Sequence, residues 1–201
     1  ERKLNVKALS GFPFNLNSAV DELLKNEFDG YREQKKPHPY MKDIDKNLIP
    51  FQHEDLDKWR ANFTGVQFRH EETDLLLTGA VDDVWIDLDT DELVVVDYKS
   101  TSSKDEVNLD KDWQISYKRQ MEFYQWLLRQ NGFKVSNDGY FVYCNGIKNK
   151  ESFDEVLEFK VKVLHYEGND SWVEEVLLKI KTIIDSEIIP SSSENCDTCS
   201  Y

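Results

Sequence analysis

Asp82, Asp97 and Lys99 can be brought to one point by a single hairpin. They stand in two short apolar segments, Gly79-Ala80-Val81-Asp82-Asp83-Val84-Trp85 and Leu93-Val94-Val95-Val96-Asp97-Tyr98-Lys99-Ser100. Between them lies the polar, turn-forming stretch Asp87-Leu88-Asp89-Thr90-Asp91-Glu92. A loop centred on Asp89-Thr90 sets Asp82 opposite Asp97, and strand alternation puts Lys99 on the same face. Two carboxylates that close repel unless positive charge lies between them, and a divalent cation with oxygen ligands is the usual solution. A solvated acidic face is the competing interpretation in a chain so rich in Asp and Glu. The run Val94-Val95-Val96 favours the metal site, because a central strand does not usually end in Asp-x-Lys without a use for it.

The surrounding elements must hold these groups. A first helix is predicted from Asn17 or Ser18 to Arg32, after a break at Gly11-Phe12-Pro13-Phe14. Its apolar stripe is Val20, Leu23, Leu24, Phe28 and Tyr31, with Glu27 in the middle and Asp21, Glu22 and Asp29 to the side or away. An acid on a buried face needs a salt bridge to a core-edge Lys or Arg, or a metal. Pro37, Pro39 and Pro50 make 34–51 an irregular connection, followed by a short helix over 53–60. Strands over 66–70 and 74–85 lead into the hairpin, and 101–112 is a polar loop beside the site. A long helix over 113–130, stopped by Asn131-Gly132, carries the stripe Tyr117, Met121, Tyr124, Leu127 and Leu128. Gln120 lies inside that stripe, where it either satisfies a buried backbone group or points into a pocket. Lys118 and Arg119 flank it and either reach phosphates or form a solvated helix face. A buried strand over 139–144 includes Cys144 as a small core residue, and 153–166 alternates as a sheet strand with His165 on the surface. A last helix opens on the capping box Ser171-Trp172-Val173-Glu174 and runs to about Ile188.

The 201 residues suffice for one compact domain, or one domain with an appendage, with a real core, and Trp 5, Tyr 9 and Phe 11 mark a folded chain. No apolar run approaches the ~20 residues of a membrane span, and no signal peptide is visible. Three cysteines, Cys144, Cys196 and Cys199, make no disulfide framework at this size, so a reducing cytoplasm is the expected compartment. The formal net charge of -14 argues against a broad, non-specific grip on nucleic acid. It leaves room for a local basic groove around acids masked by metal. The chain opens on Glu1 with no initiator Met, which suggests a missing N-terminal segment.

Gly79-Ala80-Val81-Asp82, Val96-Asp97-Tyr98-Lys99 and Tyr117-Lys118-Arg119-Gln120-Met121-Glu122-Phe123-Tyr124, in that order and spacing, resemble the PD-(D/E)XK nuclease superfamily. More narrowly they resemble its RecB-like branch, which includes RecB and AddB nuclease domains and CRISPR adaptation nucleases. The resemblance implies an α/β (α+β-like) restriction-endonuclease fold, a central mixed β-sheet flanked by helices, spanning 1–201 as a single nuclease domain. It implies that Asp82 and Asp97 bind Mg²⁺ or Mn²⁺, with the Tyr98 carbonyl as a further ligand. Lys99 would position or help deprotonate the attacking water and stabilise charge on the phosphate. Gln120 and Tyr124 would orient Lys99 and the scissile strand, with Tyr117, Lys118 and Arg119 beside them on the nucleic-acid side. The family also supplies an acid or histidine from the first helix, and Glu27 is the residue its stripe singles out.

Family members often pin their ends together with a four-cysteine iron–sulfur cluster. Cys196 and Cys199, in the tail 190–201, supply half of one, and no cysteine precedes Cys144. An iron–sulfur cluster or zinc is therefore expected only in a longer form, since two ligands do not close a tetrahedral site. The expected activity is a metal-dependent DNA nuclease acting on ends or single strands, since no sequence-reading helix is evident. Such an enzyme could work within a larger repair or defence complex. A nuclease-like module that only grips DNA ends or a partner protein is the alternative, and a small-molecule phosphoesterase is a third reading. The intact set Asp82, Asp97, Lys99 and Gln120 speaks against the pure binding module.

Overall fold

The structure, a computed structural model, describes residues 15–188 and 191. In chain order the elements are α1 (Asn15–Glu33), β1 (Leu48–Pro50), α2 (Leu56–Arg60), β2 (Val66–His70), β3 (Leu75–Gly79), β4 (Asp83–Asp87) and β5 (Glu92–Thr101). Then follow α3 (Ile115–Gln130), β6 (Val135–Gly146), β7 (Phe159–Glu167) and α4 (Val173–Asp185). Five strands form the main sheet in the order β1-β4-β5-β6-β7. β5 and β6 run parallel and the other neighbours antiparallel, so the sheet is mixed, as expected of a restriction-endonuclease-like fold.

Strand alternation divides the core between two faces. Val94, Val96 and Tyr98 of β5 pack with Leu24 and Phe28 of α1, while Leu93 and Val95 pack with Met121, Tyr124, Leu127 and Leu128 of α3. Burying each such large apolar side chain contributes about 1.5–3 kcal/mol, so β5 is fixed from both sides. The odd-numbered side chains of β5, Asp97 and Lys99 among them, therefore stand on the α3 face.

The β4–β5 hairpin has the expected register: Asp83 pairs with Val96 and Asp87 with Glu92. The strand expected over 74–85 is, however, two strands in two sheets, since β3 pairs with β2 in a separate two-stranded ribbon. Close packing at Gly79 forces the break. Gly65, at φ +65°, sits where an added Cβ would come 2.6 Å from the Gly79 carbonyl oxygen. Beyond it, the Val81 N–H donates to the Trp59 carbonyl at 3.1 Å, so the α2 region claims this backbone in place of a ladder. Asp82 is thereby left just outside the last paired residue of β4.

Other departures are local. The connection over 34–51 holds a 3-10 turn at Pro39–Met41 and the edge strand β1, whose Pro50 is tolerated at the strand's end. The capping box expected at Ser171 is not made. α4 begins at Val173 without a side-chain cap, and Glu174 instead accepts from Trp126 Nε1 at 3.0 Å and pairs with His70 Nε2 at 2.9 Å. His165 finds a partner in Asp138. The break at residues 11–14 and the Cys196/Cys199 pair lie outside the described residues.

Candidate active site

A cleft of about 670 Å³ opens at the carboxyl end of β5, where β4 has already diverged from it. Asp82, Asp97, Lys99, Tyr117, Gln120 and Tyr124 all line it. The structure thus brings the hairpin residues together with Tyr117, Gln120 and Tyr124 of α3. Backbone geometry explains why the cleft lies there. Even-numbered residues of β5 direct their N–H and C=O groups toward β4, and the ladder ends at Val96. The Tyr98 N–H is freed and donates to Asp82 Oδ2 at 2.8 Å, which fixes that carboxylate. The Tyr98 carbonyl projects to the same unpaired edge.

The two carboxylates lie close together, Asp97 buried and Asp82 half-buried at the cleft. Burial, and then the charge of Asp97, push the Asp82 carboxyl up to about 7. Burial raises Asp97 as well, against the opposing pull of Lys99. Asp97 Oδ2 is buried and makes an ion pair with Lys99 Nζ, yet it receives no well-directed hydrogen bond. Two carboxylates side by side, with oxygens facing an open cleft, form a donor set suited to a hard cation.

Lys99 is held from several directions. Its Nζ donates to Gln120 Oε1 at 3.4 Å and lies 4.7 Å above the centre of the Tyr117 ring. Gln120 Nε2 in turn donates to the Tyr124 hydroxyl at 2.8 Å. Gln120 is thus a cleft residue that links Lys99 to α3. Tyr124 reaches this position because residue 79 is glycine: an added Cβ would meet its ring at 2.7 Å. Burial and the neighbouring Asp82 and Asp97 charges raise the Tyr124 hydroxyl, keeping it protonated and able to donate.

Behind the cleft lies a network that sequence reasoning missed. Asp83 is fully buried and accepts from Arg60 Nη2 at 2.8 Å, from the Tyr98 hydroxyl at 2.8 Å and from Arg32. Arg60 Nε also donates to the Asp82 backbone carbonyl at 3.1 Å, and its Nη1 pairs with Asp29 at 2.9 Å. Arg32 adds a bond to the Phe51 carbonyl at 2.7 Å. These bonds hold the backbone at Asp82 and the ring of Tyr98 in place, so the carboxylate pair stands on a rigid base. The Asp82-Asp83 doublet was the one visible signal; nothing near Arg60 or Arg32 in the sequence pointed to it.

Glu27 must be corrected. It does not line the cleft; Glu27 Oε1 accepts from His38 Nε2 at 2.9 Å. His38 is buried, stacked 4.2 Å from Phe28, with Nδ1 accepting from the Tyr40 N–H, so Nε2 carries the proton given to Glu27. The acid of α1 that does line the cleft is Asp21, whose carboxylate pairs with Lys25 at 2.8 Å; Lys25 Nζ in turn lies 4.0 Å from Asp82 Oδ1. Among the described residues no three Asp, Glu, His or Cys side chains meet as a metal-binding group. Lys118 and Arg119 do not line the cleft either, and Lys118 Nζ lies over the Tyr166 ring at 5.7 Å.

The sequence profile of the PD-(D/E)XK nuclease superfamily matches residues 7–201. The chain belongs to this superfamily. It is therefore a nuclease-type hydrolase, of a family whose members act on DNA phosphodiesters and typically use divalent metals such as Mg²⁺. No curated protein matches the chain significantly. No helix among the described residues is long and apolar enough to cross a membrane.

Proposed function

We propose that this member of the superfamily is a RecB-like, metal-dependent DNA nuclease that acts on strand ends or single strands. Mg²⁺ or Mn²⁺ would be held by Asp82 and Asp97, with the Tyr98 carbonyl on the same edge. The observation that carries the reading is the meeting of this carboxylate pair with Lys99 in one open cleft. A cation held by these residues would lower the pKa of a water and offset charge on the phosphoryl oxygens. Lys99, positioned by Gln120 and Tyr117, is placed to donate to the oxygen on which negative charge develops. Tyr124 and Gln120 form a second line of donors along the cleft wall. Asp21, paired with Lys25, takes the place first given to Glu27 and tunes the field at Asp82 from α1. The intact acid–lysine set favours catalysis over a module that only grips DNA ends within a repair or defence complex.

The test is cleavage of linear single-stranded, blunt duplex and circular DNA with Mg²⁺ or Mn²⁺, beside the Lys99→Ala variant. Cleavage should vanish in chelator and fall by about 10²-fold or more in Lys99→Ala, with the fold retained. Linear single strands should be cut faster than circles. Undiminished cleavage by Lys99→Ala would overturn the mechanism, and metal-independent binding with no cleavage would favour the binding module.

A further inference from the structure

Trp113 stands out among the five tryptophans. Trp59, Trp85 and Trp126 are buried and Trp172 is half-buried, whereas Trp113 is 54% exposed. A large aromatic left in solvent has a use more often than a smaller apolar residue does, because its surface is the costliest to leave wet. It is also firmly held. Gln114, the next residue, is buried, accepts from the Lys111 N–H at 2.9 Å and donates to the Asn108 carbonyl at 2.7 Å. These bonds fix the short 3-10 turn at Asp112–Gln114 from which the indole projects. The Trp113 ring meets Tyr117 edge-to-face, with centroids 5.3 Å apart and planes at 85°. Tyr117 is the cleft ring beneath Lys99 Nζ. The indole is thus one aromatic ring removed from the lysine, against the cleft's Tyr117.

We infer that Trp113, backed by Tyr117, is a stacking platform for an unpaired nucleobase next to the phosphate held at Lys99. The inference rests on the nuclease reading above and deepens it. Continuity with the cleft argues for a base in preference to a protein side chain. A strand whose phosphate lies at Asp82, Asp97 and Lys99 must pass its neighbouring nucleotide over the cleft rim. Base–aromatic stacking is sequence-tolerant, since every base offers a π-face. A base inside a duplex already stacks on its neighbours and pairs across the helix, so only a single strand or a frayed end presents a free one. Trp113 is therefore a positioning residue that selects unpaired substrate without reading sequence.

The experiment measures equilibrium binding by fluorescence anisotropy, with Ca²⁺ replacing Mg²⁺ to hold back cleavage. The probes are a labelled oligothymidylate of about 12 nucleotides and an abasic oligomer of equal length, within the span one such groove covers. Trp113→Ala should weaken oligothymidylate binding about tenfold and leave the abasic oligomer unchanged, while Trp113→Phe retains most of the affinity. Because the indole is exposed, the alanine variant should fold normally, which circular dichroism checks. Equal loss on both probes, or loss on neither, would overturn the platform. Failure of the unmodified protein to bind either probe would instead bring down the nuclease reading itself.

Discussion

On α1, Asp21, Leu24, Phe28 and Arg32 follow one another at helical spacing along the face turned toward the sheet. That face ends at the cleft, so its first residue, Asp21, reaches the carboxylate pair and its last, Arg32, reaches Asp83. Leu23 misled the reading of the stripe: it is 67% exposed, and counting it as core rotated the inferred face toward Glu27. Apolar identity alone cannot separate a core leucine from a solvent leucine, whereas a half-buried acid at the cleft end of the helix, such as Asp21, has no apolar signature at all. Asp21→Asn should therefore lower metal-dependent cleavage by about 10-fold or more, as loss of a supporting charge around a metal does. Glu27→Gln, which keeps an acceptor for His38, should leave the cleavage rate unchanged and alter unfolding free energy by no more than about 0.5 kcal/mol. Rates and denaturant melts of the two variants decide the matter: an inactive Glu27→Gln beside an active Asp21→Asn would restore the first assignment.

At the scale of elements, the hairpin and α3 were legible because each obeys one simple rule. Pairing about a polar turn gave the β4–β5 register directly, and the 3.6-residue period placed Gln120 and Tyr124 on one face of α3. What escaped was the split of β3 from β4, which depends on contacts between Gly65, Gly79 and Trp59 that no local pattern encodes. The Asp83 network escaped for the same reason, since Arg32 and Arg60 come to it from distant parts of the chain. This network predicts a stability effect larger than that of substitutions at Asp82 or Asp97. Asp83→Ala would strand two buried guanidinium groups and remove the acceptor of the Tyr98 hydroxyl. Breaking a buried ion pair from one side costs about 3–5 kcal/mol, and chemical denaturation should show a loss of that order. The Asp29 pairing of both arginines would soften the loss, and a change below about 1 kcal/mol would mean that the network does not fix the base of the site.

For the whole molecule, the closeness of Asp82 and Asp97 sets function against stability. In the absence of a cation the folded state holds Asp82 protonated up to about pH 7, whereas the unfolded chain releases that proton near 3.8. Between those values the folded state binds more protons, so stability falls as pH rises. The contribution is whole below about pH 4 and lost as pH passes 7. Asp97, raised by burial, reinforces this trend, while Asp138, Glu106 and Glu175, each lowered by a neighbouring lysine, act in the opposite sense only below the ordinary carboxylate range, so the pair is best isolated by difference. Relative to Asp82→Asn, the unmodified protein in chelator should lose stability from pH 4 to 7, leaving the variant ahead by about 1–3 kcal/mol at pH 8. Adding Mg²⁺ should reverse the order, because a cation that binds only the folded, ionised pair stabilises it by mass action. Thermal melts across that range, with chelator and with Mg²⁺, provide the measurement. A difference independent of pH would mean the two carboxylates are not coupled. Stabilisation of both proteins alike by Mg²⁺ would mean that the cation binds elsewhere. Two carboxylates crowded together at the cleft, one of them held protonated when no cation is present, are the arrangement that a bound cation would relieve.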